Sequence, residues 1–398
     1  MKFYQIVSLF SIIFLTFACV KEPIIIPAST YVCTENIENT HPNSKQFDAF
    51  IDRKVVEGLP GMSMLIETPD GIWAGAAGMA DIPNNISLQT CNIGRVGSIT
   101  KTFTATLILQ LAEKGALKLS DTISQYLDPE MVKKISNAEV ATVEQLLSHT
   151  SGIADYTEQI DFSVVALNDT YKLWTAEEEL AFIYDEPALF EPNTQRKYSN
   201  SNYILLGLIA ENITKKSGTT LLQEQIFTPL GLSNTFFYQD NTIPKKIVRG
   251  YADEEDKLVL IDRTTFSFAH SSMEGGAMSS VADLHTFIQA AMTPDVLLSA
   301  KTIQQMTTVK APSGEDHTIS TKDTNLKFNG IGLGWFNVNT PHGTGYGHGG
   351  SITGYQSFML HFPASNTTVC YIINGNDGQL DALEDDMRQT ELVPLIFE

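Results

Sequence analysis

Strand-like segments sit at the two ends of this chain and helical ones fill its middle, which limits the available folds more than any single motif does. Near the N-terminal end, Gly61-Met-Ser-Met-Leu-Ile-Glu-Thr and Ile72-Trp-Ala-Gly-Ala-Ala-Gly flank Pro69-Asp70-Gly71, the turn chemistry of a β-hairpin. After Gly330, short strand-like runs return at Gly332–Val338, Tyr355–Phe362 and Thr368–Ile373. Between them apolar residues recur with helical spacing at 143–148, 176–184, 201–215 and 281–292, and Ser280, three residues before Asp283, reads as a capped start. Helical spacing also covers 47–56 and Ser98–Glu113, with Gly115 placed to stop the latter, and 377–392 reads as a final helix. One sheet completed by both termini, with a helical insertion, satisfies this order. The expected class is α/β: an antiparallel sheet of about five strands built from both chain ends, flanked by helices. Residues 41–118 and 299–398 would form this α/β unit, residues 119–298 a mostly helical one, and the site would lie between them.

Charge narrows the partners. The 398 residues hold 26 Lys and Arg against 46 Asp and Glu, a net charge of −20, with no basic cluster. Such a chain has nothing to displace counterions from a phosphate backbone, so nucleic acid is excluded. At the N-terminus, Lys2 precedes an apolar run from Ile6 to Val20, the pattern of a secretory signal. That run is shorter than the ~20 residues of a spanning helix. Ala18-Cys19 resembles a bacterial lipoprotein cleavage site. It makes 1–18 a signal peptide, Cys19 the lipidated first residue and 19–40 a tether, with plain secretion as the other reading. The protein is then expected outside the cytoplasm, held to a membrane through its lipid alone. Cys33, Cys91 and Cys370 remain, and their spacing leaves a Cys33–Cys91 bond open. No metal-ligand spacing is present, so no metal or cofactor is expected.

Three short patterns could carry chemistry. Ser98-Ile99-Thr100-Lys101 opens a helix and stacks Ser and Lys on one face at i and i+3. A Lys amine can take a Ser proton once burial or nearby charge lowers its pKa, and the helix start favours developing negative charge. The pair by itself equally describes a helix cap followed by a solvated Lys. Tyr198-Ser199-Asn200 stands at the entrance to another helix, where Tyr could shuttle protons and Asn bind an amide, or where both could simply cap. His348-Gly349-Gly350-Ser351 would let a substrate backbone lie on a strand edge, with the Ser351 N–H as oxyanion donor, or would form a plain turn.

In order and context these segments resemble the serine D,D-peptidase and class C β-lactamase family. The resemblance runs from roughly Phe47 to Asn376. It rests on Arg95-Val-Gly-Ser-Ile-Thr-Lys-Thr-Phe103, Leu146-Leu-Ser-His-Thr-Ser-Gly-Ile153, Phe190-Glu-Pro192, Tyr198-Ser-Asn200, Gly275-Gly-Ala-Met-Ser279 and His348-Gly-Gly350. It implies a serine hydrolase working through a Ser98 acyl-enzyme on D-amino-acid peptides, β-lactams or small esters, like a D-alanyl-D-alanine carboxypeptidase. A β-lactamase or esterase of the same family is the alternative, and a non-turnover penicillin-binding sensor a further one. Lys101 would be the general base, Tyr198 the proton shuttle and Asn200 a substrate contact. His348, Gly350 and Ser351 would line the substrate strand, with the Ser98 and Ser351 N–H groups as oxyanion donors. His149 matches a structural segment. Asn193 stands where glycine is common. Gly349 replaces a Thr, and no Arg occurs between Arg263 and Arg388, so weak selection for a free substrate carboxylate is expected.

Overall fold

The structure, a computed structural model, describes residues 33, 37–237, 246–266, 273–309 and 325–398. The expected signal peptide, Cys19 and most of the tether lie outside the described residues.

Turn chemistry at Pro69-Asp70 produces the hairpin β1 (Gly61–Thr68) and β2 (Gly71–Asp81), extended by a short β3 (Ile86–Ser87). The other end of the chain supplies β4 (Lys327–Ile331), β5 (Phe336–Thr340), β6 (Gly343–Ile352), β7 (Tyr355–Phe362) and β8 (Thr367–Ile373). They form one antiparallel sheet in the order β3-β2-β1-β8-β7-β6-β5-β4. The two chain ends meet at the β1–β8 seam, where Met62 faces Ile373 and Glu67 faces Thr368.

Among the described residues the sheet has eight strands rather than about five, and one expected strand is misplaced. The apolar run at Gly332–Val338 is a corner followed by β5, because Gly334 takes a left-handed φ of 81°. Leu333 and Trp335 in that corner are buried as core residues of the helical layer, which is why the run is apolar. Short apolar runs do not separate strand from buried corner.

Alternation along each strand divides the interior in two. Met62, Met64, Ile66, Tyr371 and Ile373 join one cluster with Phe47, Phe50 and Ile51 of α1 (Ser44–Glu57) and with the C-terminal helix. Leu65, Cys370 and Ile372 face the opposite way, into the larger cluster that holds α2 (Thr100–Glu113). Every residue from Thr100 to Leu111 is buried, so α2 runs through the middle of the molecule with no solvent face. Around it pack α3 (Val143–Leu147), α4 (Asn200–Thr214) and α5 (Val281–Met292), the last started by Ser280, whose side chain accepts from the Asp283 N–H.

The final helix is broken. It runs as α6 (Gly378–Asp386), widens into a π turn at Met387–Glu391 and resumes as α7 (Leu392–Phe397). The question left open by cysteine spacing is answered: Cys33 and Cys91 form a disulfide. The end of the tether also lies along β2, where the Thr40 and His41 N–H groups donate to the Ile72 carbonyl.

Candidate active site

Gly97 begins a single 3₁₀ turn, Gly97–Ile99, that feeds α2. Its φ is 47°, and a Cβ there would come within 2.9 Å of the Ser351 carbonyl oxygen. Glycine is required on both counts, and the close approach brings Ser98 against β6. The strand before it is pinned: Gly94–Arg95 pairs with Ala277–Ser279, and the Arg95 guanidinium donates to the carbonyls of Thr264 and Phe266.

One turn along, Lys101 is completely buried. Its Nζ lies 3.0 Å from Ser98 Oγ, 2.7 Å from Asn200 Oδ1 and 2.7 Å from the Glu274 main-chain oxygen. The last two are oxygens that can only accept. They hold two N–H groups of the amine whatever its charge, so the third position points at Ser98. Burial pulls the Lys101 pKa down to about 7, against the opposing pull of the Glu274 and Asp155 carboxylates. A neutral amine with its lone pair facing the Ser98 hydroxyl is therefore accessible near pH 7.

Asn200 is oriented by what lies behind it: its Nδ2 donates to Asp155 Oδ2 at 2.9 Å and Thr157 Oγ1 at 3.1 Å. Tyr198 stacks on the His149 ring at 4.4 Å, and the Lys101 amine sits 4.8 Å from the Tyr198 ring centre. His149 Nδ1 accepts from the Ser199 N–H, so the ring is neutral, and burial holds its pKa well below the usual value. Sequence reasoning left His149 as structural, and its stacking shows how it braces Tyr198. Asn193, where glycine is common, takes the left-handed φ (65°) that Asn tolerates.

The glycine-rich motif is strand, not turn. β5 pairs with β6 only as far as Phe336 opposite Gly347. Residues 348–352 extend beyond it, paired with β7 on the other side and with no described strand on this one. A Cβ on Gly350 would lie 2.0 Å from the Val96 oxygen, so any larger residue would push β6 away from the Ser98 segment. His348 is buried and stacks on Phe336 at 3.9 Å. Its Nδ1 lies 2.5 Å from the Gly349 carbonyl oxygen, which assigns the ring proton to Nδ1 and the lone pair to Nε2. Burial drives its pKa down to about 3, so His348 offers no positive charge at working pH.

Two cavities meet at Ser98. One, of about 260 Å³, is lined by Ser98, Tyr198 and residues 348–351 together with the apolar Phe328, Phe336, Val338 and Phe358. The second, of about 250 Å³, is lined by Ser98, Asn200, Ser351, Tyr156, Thr157 and Glu274. The expected residues thus converge, with Lys101 behind Ser98, while Cys19 lies outside the described residues. Among the described residues, one cation enters the first cavity from an element remote in sequence: Arg388, on the π turn. It donates to Glu384 at 3.0 Å and Asp385 at 2.8 Å, so two carboxylates outweigh its charge. Its place in the cavity wall could not be read from the chain, because it depends on how the final helix breaks.

A family model described as Beta-lactamase matches residues 47–393. The chain belongs to that family. Its members are serine hydrolases of the β-lactamase and penicillin-binding-protein type, and the resemblance read from the motifs holds. The chain is 27% identical over 359 residues to protein flp of Staphylococcus aureus, covering 89% of this chain and 67% of that protein. It is 27% identical over 327 residues to penicillin-binding protein 4* of Bacillus subtilis, covering 79% of this chain and 68% of that one. Among solved structures it is similar to a D-stereospecific amidohydrolase from Streptomyces sp., with a TM-score of 0.72, 27% identity, and 87% and 98% of the two chains covered.

Proposed function

We propose that this protein hydrolyses an amide bond next to a D-configured residue through an acyl-enzyme on Ser98. The observation that carries the reading is the Lys101 amine, fixed by two acceptor oxygens with its remaining position 3.0 Å from Ser98 Oγ. Ser98 Oγ attacks the carbonyl carbon as its proton passes to Lys101. The N–H groups of Ser98 and Ser351 receive the developing oxyanion. Lys101, through Tyr198, returns the proton to the leaving nitrogen as the C–N bond breaks. Water then attacks the ester, its proton following the same route in reverse, and Ser98 is restored. Asn200 and the edge of β6 that no described strand pairs hold the substrate, and His348 takes part as a neutral acceptor. The similarity to a D-stereospecific amidohydrolase and to a penicillin-binding protein supports the choice of D-configured amide substrates over plain esters.

The test runs a D-alanyl-D-alanine peptide, a D-amino-acid amide, a chromogenic cephalosporin and a p-nitrophenyl ester in parallel. The expected result is turnover of the D-configured amides. Intact-mass analysis after penicillin should show one adduct, on the Ser98 peptide. An adduct elsewhere overturns the nucleophile, and adduct formation with no turnover of any substrate favours a penicillin-binding sensor.

A further inference from the structure

Behind Lys101 lie two buried carboxyl groups that the acyl-transfer steps do not use. Glu274 and Glu179 are each 1% exposed. The Tyr156 hydroxyl, also buried, lies 3.0 Å from Glu274 Oε1 and 3.5 Å from Glu179 Oε1. One phenol has one proton to donate, and it goes to the nearer carboxylate. Two ionised carboxylates cannot share so dry a space, so one must hold a proton. Burial first, and then the Glu274 charge, push Glu179 well above the usual carboxylate range, which makes Glu179 the protonated member. Protons are thus ordered from Glu179 to Tyr156 to Glu274, and the negative charge rests at Glu274. That residue's main-chain oxygen is one of the two acceptors fixing Lys101.

We infer that Glu274, kept ionised by Tyr156 and by a neutral Glu179, is a positioning residue that sets the pH at which Lys101 gains and loses its proton. The inference rests on the reading of Lys101 as base. Burial alone would lower the Lys101 pKa further and make it a weaker base. A carboxylate close behind it favours the charged form and returns its titration toward neutrality, where proton uptake from Ser98 and return to the leaving group are balanced. Among the described residues, few groups face Lys101. Asp155 and Tyr156 come from the loop after α3, Tyr198, Asn200 and Tyr203 from α4 and its approach, and Glu274 from the segment before Ala277–Ser279. Two further titratable neighbours among the described residues, His149 and His348, are both held neutral. Asp155 acts in the same sense as Glu274, but burial raises its own pKa and its Oδ2 is taken by Asn200.

The test compares Glu274→Gln and Glu179→Gln in the full chain, both amide isosteres that keep a partner for Tyr156. Two readouts are used: the pH dependence of Ser98 acylation by penicillin, and a titration of the Lys101 Cε resonance in ¹³C-lysine-labelled protein, assigned by its loss in Lys101→Arg. Glu274→Gln should move both transitions to lower pH by at least about half a unit, a roughly threefold gain in neutral Lys101 on the acid side. Glu179→Gln should leave both in place, because the group it replaces is already neutral. Unmoved transitions in folded Glu274→Gln, or an equal shift in Glu179→Gln, overturn the inference. If Glu274→Gln does not fold, Tyr156→Phe takes its place. Removing the donor weakens the carboxylate, so a smaller shift in the same direction is expected, and none refutes the inference. Unimpaired acylation in Lys101→Arg would instead refute the base assignment, while the Lys101 resonance in Glu274→Gln still reports on Glu274.

Discussion

The two walls of the site are built in opposite ways. On the helical side, Lys101, Asn200, Asp155, Tyr156 and Glu274 are buried or half-buried and bonded to one another, so each polar atom's direction is set before any substrate arrives. On the sheet side, residues 348–351 present an edge that no described strand pairs, beside apolar walls. Proton transfer needs exact placement and a low-dielectric setting, which only a closed network supplies. Substrate binding needs unpaired backbone and space, which a closed network would remove. Substitutions on the helical side should therefore change chemistry and pH dependence, and those on the sheet side affinity and selectivity.

The largest effect is expected at the nucleophile shared by both walls. Ser98→Ala should lose all turnover and the penicillin adduct while keeping its melting temperature within a few degrees, since the hydroxyl is only partly buried and makes no packing contact of size. Residual hydrolysis above buffer would break the comparison at its centre. Next, Lys101→Arg should cost ~10²–10⁴-fold in kcat, because guanidinium does not deprotonate at working pH. In the wild type, kcat/KM should fall below an acid limb near pH 7, since Lys101, titrating at about 7, must be neutral to accept the proton. His348, at about 3, should add no limb of its own. A profile flat down to pH 5 would remove Lys101 from the mechanism.

Across the site, Gly350→Val should cost ~1–3 kcal/mol of stability and raise KM strongly, because the new Cβ collides with the Val96 carbonyl. A KM near wild type would show that β6 is not the binding edge. The smallest effect is expected at the far end of the first cavity. His348 is neutral and Arg388 is already balanced by Glu384 and Asp385, so a D-alanyl-D-alanine peptide and its C-terminal amide should differ by less than about tenfold in kcat/KM, ~1.4 kcal/mol. A free-acid preference of ~100-fold that vanishes in Arg388→Met would make the sheet side a charged receptor rather than an apolar one.

Much of this was legible in the chain because it is local. The hairpin at Pro69-Asp70-Gly71, the Ser280 cap, the helix start that sets Ser98 and Lys101 one turn apart, and the left-handed tolerance of Asn193 each follow from neighbouring residues. What failed also has local causes: Gly332–Val338 has the composition of a strand, yet its apolar residues serve a corner, and nothing within the run distinguishes the two.

The amino-acid sequence by itself determined which residues could carry the chemistry and which class of fold would hold them, since both depend on short-range pattern and on the order of segments. Only the tertiary structure decided how they work. Whether Lys101 is a solvated cation or a buried base depends on Asn200 and Glu274, 99 and 173 residues away. Whether Glu179 and Glu274 carry one charge or two depends on the dry space they share around Tyr156, and the place of Arg388 depends on a turn near residue 388. The physical reason is that charge state and direction are set by burial and contact, and both are properties of residues brought together across the chain.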